Sequence, residues 1–211
     1  MQRSIFWRSC QVIFRIMSTL LFDFKTYGRE NVPKAGGALL ISNHQSYLDP
    51  PLMAVQLYRP VSYMAKSELF RNKALAWLIR SLHAFPINQT GFAKGAIDET
   101  INQLHAGKLL NMYPEGTRTE TGELGTIQRG IALVLRKVDV PIIPVAIEGA
   151  YKAWPNRQKM FKAHSIRIMY GKPMNLKGMK GDAIVKEVDA TLRDLIRQLR
   201  EKIADEKRRR E

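Results

Sequence analysis

An α/β fold, with a mixed or parallel sheet flanked by helices, is predicted by three observations. Short apolar runs rich in strand-forming residues are separated by Gly- and Pro-containing turns. Between them lie stretches whose apolar residues recur every three or four positions, the period of a helix with one buried face. No internal repeat and no long linker interrupts that alternation, so one domain follows. With 211 residues, 45% of them hydrophobic and 25% charged, the chain is long enough for a real core.

The elements follow in order. In residues 5–24, Ile5, Val12, Ile13, Ile16, Met17, Leu20 and Phe24 recur at spacings of three, four and seven, which predicts an amphipathic helix. Arg8, Arg15 and Asp23 interrupt the stretch, which argues against a spanning helix, and no small-residue cleavage site marks it as a signal peptide. Phe6, Trp7, Phe14 and Phe22 add aromatic bulk, and Arg3, Arg8 and Arg15 can reach lipid headgroups. Residues 1–24 are therefore expected to form a membrane-associating helix. The alternative is a first helix whose stripe packs on the domain's own core.

Strands are expected at 24–27, 37–42, 61–65, 84–87, 109–113, 141–147 and 166–170. Helices are expected at 50–57, 66–81, 92–106 and 130–138, and from Asp182 onward, where Val185, Val188, Leu192, Leu195 and Leu199 form a core-facing stripe. The main domain then spans 25–205, and 206–211 is a charged tail, either solvated or touching a membrane.

A net charge of +15 favours an anionic partner: nucleic acid, an anionic membrane surface or a phosphorylated substrate. Neither a zinc-finger spacing nor an RNP-type aromatic strand is present, so nucleic acid is not expected. The one cysteine, Cys10, cannot form an intrachain disulfide, as in proteins of a reducing compartment.

The segment Asn43-His44-Gln45-Ser46-Tyr47-Leu48-Asp49-Pro50 follows the apolar run 37–42. Asp49 reads as a helix N-cap, with Pro50 at the first helical position. His44 then lies on a strand-to-helix connection. A neutral imidazole there can take a proton from an alcohol, and a carboxylate on its other nitrogen fixes the tautomer and stabilises the imidazolium. Taken alone, this spacing also fits a capping Asp49 and a merely packed His44. No GxSxG elbow supplies a nucleophile, and His83, His105 and His164 lack metal-ligand spacing. A His–Asp pair without serine or cysteine points to direct activation of a substrate hydroxyl, with no metal and no cofactor.

The second stretch is Tyr113-Pro114-Glu115-Gly116-Thr117-Arg118, just past a strand. Gly116 permits positive φ or a close backbone approach. Arg118 can grip a phosphate through two N–H groups. Glu115 either accepts hydrogen bonds from a polyol or holds Arg118, and an internal Glu–Arg turn is the structural alternative.

The chain resembles the glycerolipid acyltransferases of the 1-acylglycerol-3-phosphate acyltransferase type, over roughly residues 28 to 175. Four blocks match in order: NHxxxxD at Asn43, His44 and Asp49; Phe85-Pro86-Ile87-Asn88; the (F/Y)PEGTR block from Tyr113 to Arg118; and Val140-Pro141-Ile142-Ile143-Pro144-Val145. The resemblance implies acyl transfer from acyl-CoA or acyl carrier protein to a lysophospholipid hydroxyl at the cytoplasmic face of a membrane. His44 would be the general base and Asp49 its orienting partner. Asn43, Glu115, Gly116, Thr117 and Arg118 would serve the acceptor, with Arg118 on its phosphate. Lys66, at a strand end, would stabilise the thioester oxygen or pair at the surface with Glu68. The fourth block would line the acyl site or simply be a core strand. In the second block the sequence departs from the pattern. Gln89 stands where arginine is frequent, and His83 where glycine opens the block. Gln89 leaves room for a different lyso-lipid acceptor, or for another basic residue such as Arg129 to substitute. A non-catalytic lipid-binding module on the same fold is the alternative from another class.

Overall fold

The computed structural model of the chain describes residues 5–81, 83–87, 94–155, 158 and 160–209. Seven strands form one sheet: β1 (Lys25–Tyr27), β2 (Ala38–Ser42), β3 (Val61–Lys66), β4 (Ala84–Ile87), β5 (Leu109–Met112), β6 (Ile142–Glu148) and β7 (Arg167–Tyr170), in the order β1-β7-β6-β2-β5-β3-β4. The sheet is mixed. Every pairing is parallel except β6 with β7, so β7 and its neighbour β1 run against the other five strands. Pro86, which cannot donate to a ladder, sits on the edge strand β4, where that lack costs least.

β2 lies at the centre and is buried along its whole length. Its residues alternate between two apolar cores. Ala38 and Leu40 face one, Leu39 and Ile41 the other. Burial on both faces explains why the run is continuously hydrophobic rather than alternating. The first core is covered by α1 (Ile5–Phe22), α2 (Asp49–Val55) and α6 (Ala150–Ala153), through residues such as Phe22, Leu52, Met53 and Ala150. The second is covered by α4 (Lys94–His105), α5 (Gly130–Leu135) and α7 (Gly181–Arg208), through residues such as Leu104, Ile131, Val188 and Leu192.

Several expectations are corrected. The helix expected over 66–81 is broken. Ser67–Phe70 is a 3₁₀ turn, and α3 (Lys73–Ser81) starts only after Asn72, whose Oδ1 accepts the N–H groups of Ala74 and Leu75 at 3.0 and 3.1 Å. That is an N-cap, and it fixes the start of a new helix. α7 runs to Arg208, so the first three residues of the charged tail expected over 206–211 continue the helix. Glu206 accepts a hydrogen bond from Tyr27 and pairs with Lys25 at 3.0 Å. α6 was not foreseen. It starts after Gly149, whose φ of 89° and whose approach to the Ser165 carbonyl leave no room for a side chain.

The stripe expected on α1 faces outward. Val12, Ile13, Ile16, Met17 and Leu20 are exposed, Leu20 by 79%, so this stripe does not pack on the domain's core. α1 rests on α2 through its other face, with Phe14, Leu21 and Phe22 inward. Gln11 there donates to the carbonyls of Ala54, Val55 and Leu57 at 3.1–3.2 Å, which ties α1 to the C-terminal end of α2 and the turn after it. Phe24 lies beyond the helix and is buried. No described helix is long and apolar enough to cross a membrane.

Candidate active site

β2 and β5 are parallel neighbours, with Ile41 opposite Met112. The loops that leave their C-terminal ends therefore emerge side by side. One carries His44 and the other Glu115.

Asn43 closes β2. Its side-chain amide copies a strand partner: Nδ2 donates to the Ile147 carbonyl at 2.9 Å, and Oδ1 accepts the Ile147 N–H at 2.8 Å. Both functions are thus committed to β6, and the residue is buried. The chain then turns so that Asp49 reaches back into the loop. Its carboxylate does not cap α2, as the sequence suggested. Instead Oδ2 accepts the N–H groups of Gln45 and Ser46 at 2.6 and 2.8 Å and lies 2.7 Å from His44 Nδ1. Asp49 is fully buried, while the His44 side chain keeps 17% of its surface open. A carboxylate only accepts, so Nδ1 carries a proton, and in the neutral form of the ring Nε2 is then the nitrogen with a lone pair. Nε2 makes no hydrogen bond with any described residue.

The imidazole is also held from its face. The Tyr113 ring stacks on it at 3.7 Å between centroids and 12° between planes. Burial, reinforced by the charge of Asp49, pushes the Tyr113 hydroxyl well above its ordinary pKa and keeps it protonated.

The second loop is tied to the first through its backbone. Glu115 accepts the His44 N–H at Oε1 (2.8 Å) and the Gly125 N–H at Oε2 (2.7 Å). Burial raises the Glu115 pKa, and the two N–H groups oppose that rise. The Thr119 N–H donates to the His44 carbonyl at 2.8 Å, and Gln45 Nε2 to the Gly122 carbonyl at 2.9 Å. Gly116 takes φ 73°, the left-handed turn its identity suggested. Gly116 and Thr117 are exposed beside Arg118. Glu115 does not hold Arg118. The guanidinium of Arg118 lies 3.5 Å over the Tyr47 ring, in the His44 loop, and its buried Nη1 has no partner among the described residues. A cation held over a ring of the His44 loop, with a buried N–H group still to be met among the described residues, suits an anionic molecule that brings a hydroxyl.

The structure thus gathers Asn43, His44, Asp49, Glu115, Gly116, Thr117 and Arg118 at one end of the sheet. Lys66 ends β3, next to β5, and its side chain lies outside the described structure, as do Asn88 and Gln89. Arg129 is exposed and 4.0 Å from Asp182 on α7. The fourth block opens β6 and is buried within the sheet from Ile142 onward. Tyr47 and Tyr113 carry no role that the sequence pattern shows. Their ring contacts join loops some 70 residues apart, which no local pattern reports. No cluster of three or more metal-ligating side chains occurs among the described residues.

Comparison with known proteins adds to the geometry. A family model described as "Acyltransferase" matches residues 23–148, which include both loops. The 1-acyl-sn-glycerol-3-phosphate acyltransferase of Bacillus subtilis (strain 168) is 26% identical over 170 residues, covering 80% of this chain and 82% of its own. That of Streptococcus pneumoniae is 29% identical over 144 residues, covering 67% of this chain and 52% of its own. The crystal structure of the 1-acyl-sn-glycerophosphate (LPA) acyltransferase PlsC from Thermotoga maritima superposes with a TM-score of 0.80 at 26% identity, over 92% of this chain and 79% of that one.

Proposed function

The chain belongs to the acyltransferase family, and on that premise we propose that it moves a fatty acyl group from a thioester to the free hydroxyl of lysophosphatidic acid at a membrane surface. The observation that carries the mechanism is the His44–Asp49 contact of 2.7 Å, with Nε2 left open. Nε2 takes the proton of the acceptor hydroxyl. The freed oxygen attacks the thioester carbonyl, the C–S bond breaks, and the thiolate recovers the proton from the imidazolium. Asp49 stays ionised throughout and stabilises that imidazolium. No protein nucleophile takes part.

Arg118 binds the acceptor phosphate, with Gly116 and Thr117 beside it. Lys66 is assigned the thioester oxygen that turns negative during attack. Asn43 and Glu115 brace the two loops and so position His44. The donor is acyl-CoA or acyl carrier protein. The exposed stripe of α1, with the net positive charge of the chain, supports peripheral seating on an anionic leaflet, expected to be the cytoplasmic one. Residues 1–24 then form the membrane seat of an acyltransferase domain.

The test is acyl transfer to a panel of lyso-lipids from acyl-CoA, repeated with acyl carrier protein. Lysophosphatidic acid should be preferred. Preference for an acceptor without a phosphomonoester would keep the chemistry and remove the assigned acceptor. No transfer with either donor would remove the reading.

Two expected results follow from the site. Arg118→Ala should raise the acceptor KM by roughly 10- to 100-fold, the loss of a charged hydrogen-bonding pair, and leave the donor KM unchanged. Arg118→Lys should restore only part of it, because an ammonium lacks the two-pronged fork. Tyr113→Phe keeps the stacked ring and should turn over at near the wild-type rate. Tyr113→Leu removes the ring and should lower kcat by roughly three- to tenfold with little change in KM. Steady-state kinetics with each substrate varied separates these cases.

A further inference from the structure

A strip of aromatic rings, exposed at Phe161 and Tyr47, runs from the buried end of α1 to the active site. Phe22, the last residue of α1, meets Phe161 edge-on at 5.7 Å. Phe161 lies 6.1 Å from Trp154, and Trp154 5.7 Å from Tyr47, whose ring carries the Arg118 guanidinium. Phe161 is 45% exposed, Tyr47 53% and the neighbouring Met160 78%.

The segment bearing Met160 and Phe161 is held at its base. The Lys162 N–H donates to the Ala153 carbonyl at 2.7 Å, and the Ser46 hydroxyl donates to the Trp154 carbonyl at 2.8 Å. The Trp154 indole N–H is satisfied by the Gln158 carbonyl at 2.8 Å, so the ring offers its apolar surface and makes no unmet polar demand. A clamped base with large apolar side chains turned to water is costly unless something covers them.

Charge says what would cover them. Residues 151–180 contain eight Lys or Arg and no Asp or Glu, more than half of the net charge of +15. Arg167 is spent internally, on Asp23 at 2.6 Å and Glu206 at 3.8 Å. Lys152 and Lys162, which flank the strip, are exposed.

We propose that Met160 and Phe161 form a second bilayer contact, entering the headgroup–acyl boundary of an anionic leaflet while Lys152 and Lys162 meet its phosphates. The strip then leads from that contact, past Trp154 and Tyr47, to Arg118. This rests on the reading of α1 as a membrane seat. Two adjoining contacts at the outer end of the strip would hold the protein on the leaflet that contains the acceptor.

The test uses the full chain and vesicles of phosphatidylcholine with or without phosphatidylglycerol. Partition is measured for wild type, Met160→Ser/Phe161→Ser, Met160→Ser alone and Leu20→Ser on α1. The double variant should partition roughly tenfold more weakly onto anionic vesicles, and its rate on a vesicle-embedded acceptor should fall in parallel. Its turnover of a short-chain, freely dissolved acceptor should match wild type. Met160→Ser alone should move partition in the same direction, which guards against a packing defect at Phe161. If Leu20→Ser weakens partition and the Met160 and Phe161 variants do not, α1 is the seat and the second contact is overturned. Unchanged partition in every variant overturns both. If partition is unchanged but the KM for acyl carrier protein rises, the strip docks that acidic protein and the bilayer proposal falls.

Discussion

His44→Ala should lower kcat by a factor on the order of 10² to 10⁴, the range associated with a positioned general base, and leave the fold intact. The loop does not depend on the imidazole. The His44 N–H to Glu115 and the His44 carbonyl to Thr119 are backbone contacts, which alanine keeps. Asp49 would still accept the N–H groups of Gln45 and Ser46. What alanine removes is Nε2, the one open basic nitrogen in the loop, and the face against which Tyr113 packs. Circular dichroism and vesicle partition should therefore match wild type, and thermal unfolding should shift only by the loss of one hydrogen bond to the buried Asp49 and of the Tyr113 stack, while turnover collapses. An inactive variant that also unfolds early would leave the role of the imidazole to His44→Gln, which retains polarity and bulk without a basic nitrogen.

Asp49→Asn should be nearly as damaging, by about 10² to 10⁴ in kcat, for a different reason. The amide oxygen can still take the N–H groups of Gln45 and Ser46, so the loop survives. It carries no negative charge, so the imidazolium formed in the reaction loses its counter-ion. Asp49→Ala goes further. It strands two backbone N–H groups that point at a fully buried side chain, at about 1–3 kcal/mol each. The pair of variants thus separates catalysis from folding. Asparagine should lose rate and keep stability; alanine should lose both. Chemical denaturation beside the acyl-transfer rate measures the two quantities on the same samples.

Much of this arrangement was legible in the sequence, and the gaps have physical causes. The strands were found because each is a short apolar run between turn residues, and β2 stood out because both its faces are buried. The His44 and Glu115 loops were located because polar residues follow those runs directly. Asp49 was paired with His44, as the structure has it, but its second expected role, capping α2, is not the one it plays. An aspartate before Pro-Pro has the sequence of an N-cap, but its Oδ2 turns back to two loop N–H groups and an imidazole, a choice made by the loop's tertiary path. The break before α3 was missed because its apolar period continues across Asn72, and only the cap bonds reveal a new start. α1 shows the reverse problem. Periodicity identified the stripe, yet the period alone leaves open whether a stripe faces core or solvent. Gln11, a polar residue that packs inward to tie α1 to α2, settled it. The stacking of Tyr113 on His44 and the cradle of Tyr47 under Arg118 depend on the two loops meeting, and no local signal carries them.

The most direct measurement follows thiol release and phosphatidic acid formation together, in a rapid-quench experiment with a labelled acyl thioester the enzyme accepts. With His44 activating the acceptor hydroxyl itself, thiol should appear only when lysophosphatidic acid is present, in step with product, and no label should remain on the protein. A burst of thiol without acceptor, with acyl label bound to the chain, would mean that a protein group attacks first, and would contradict direct transfer through the His44–Asp49 pair.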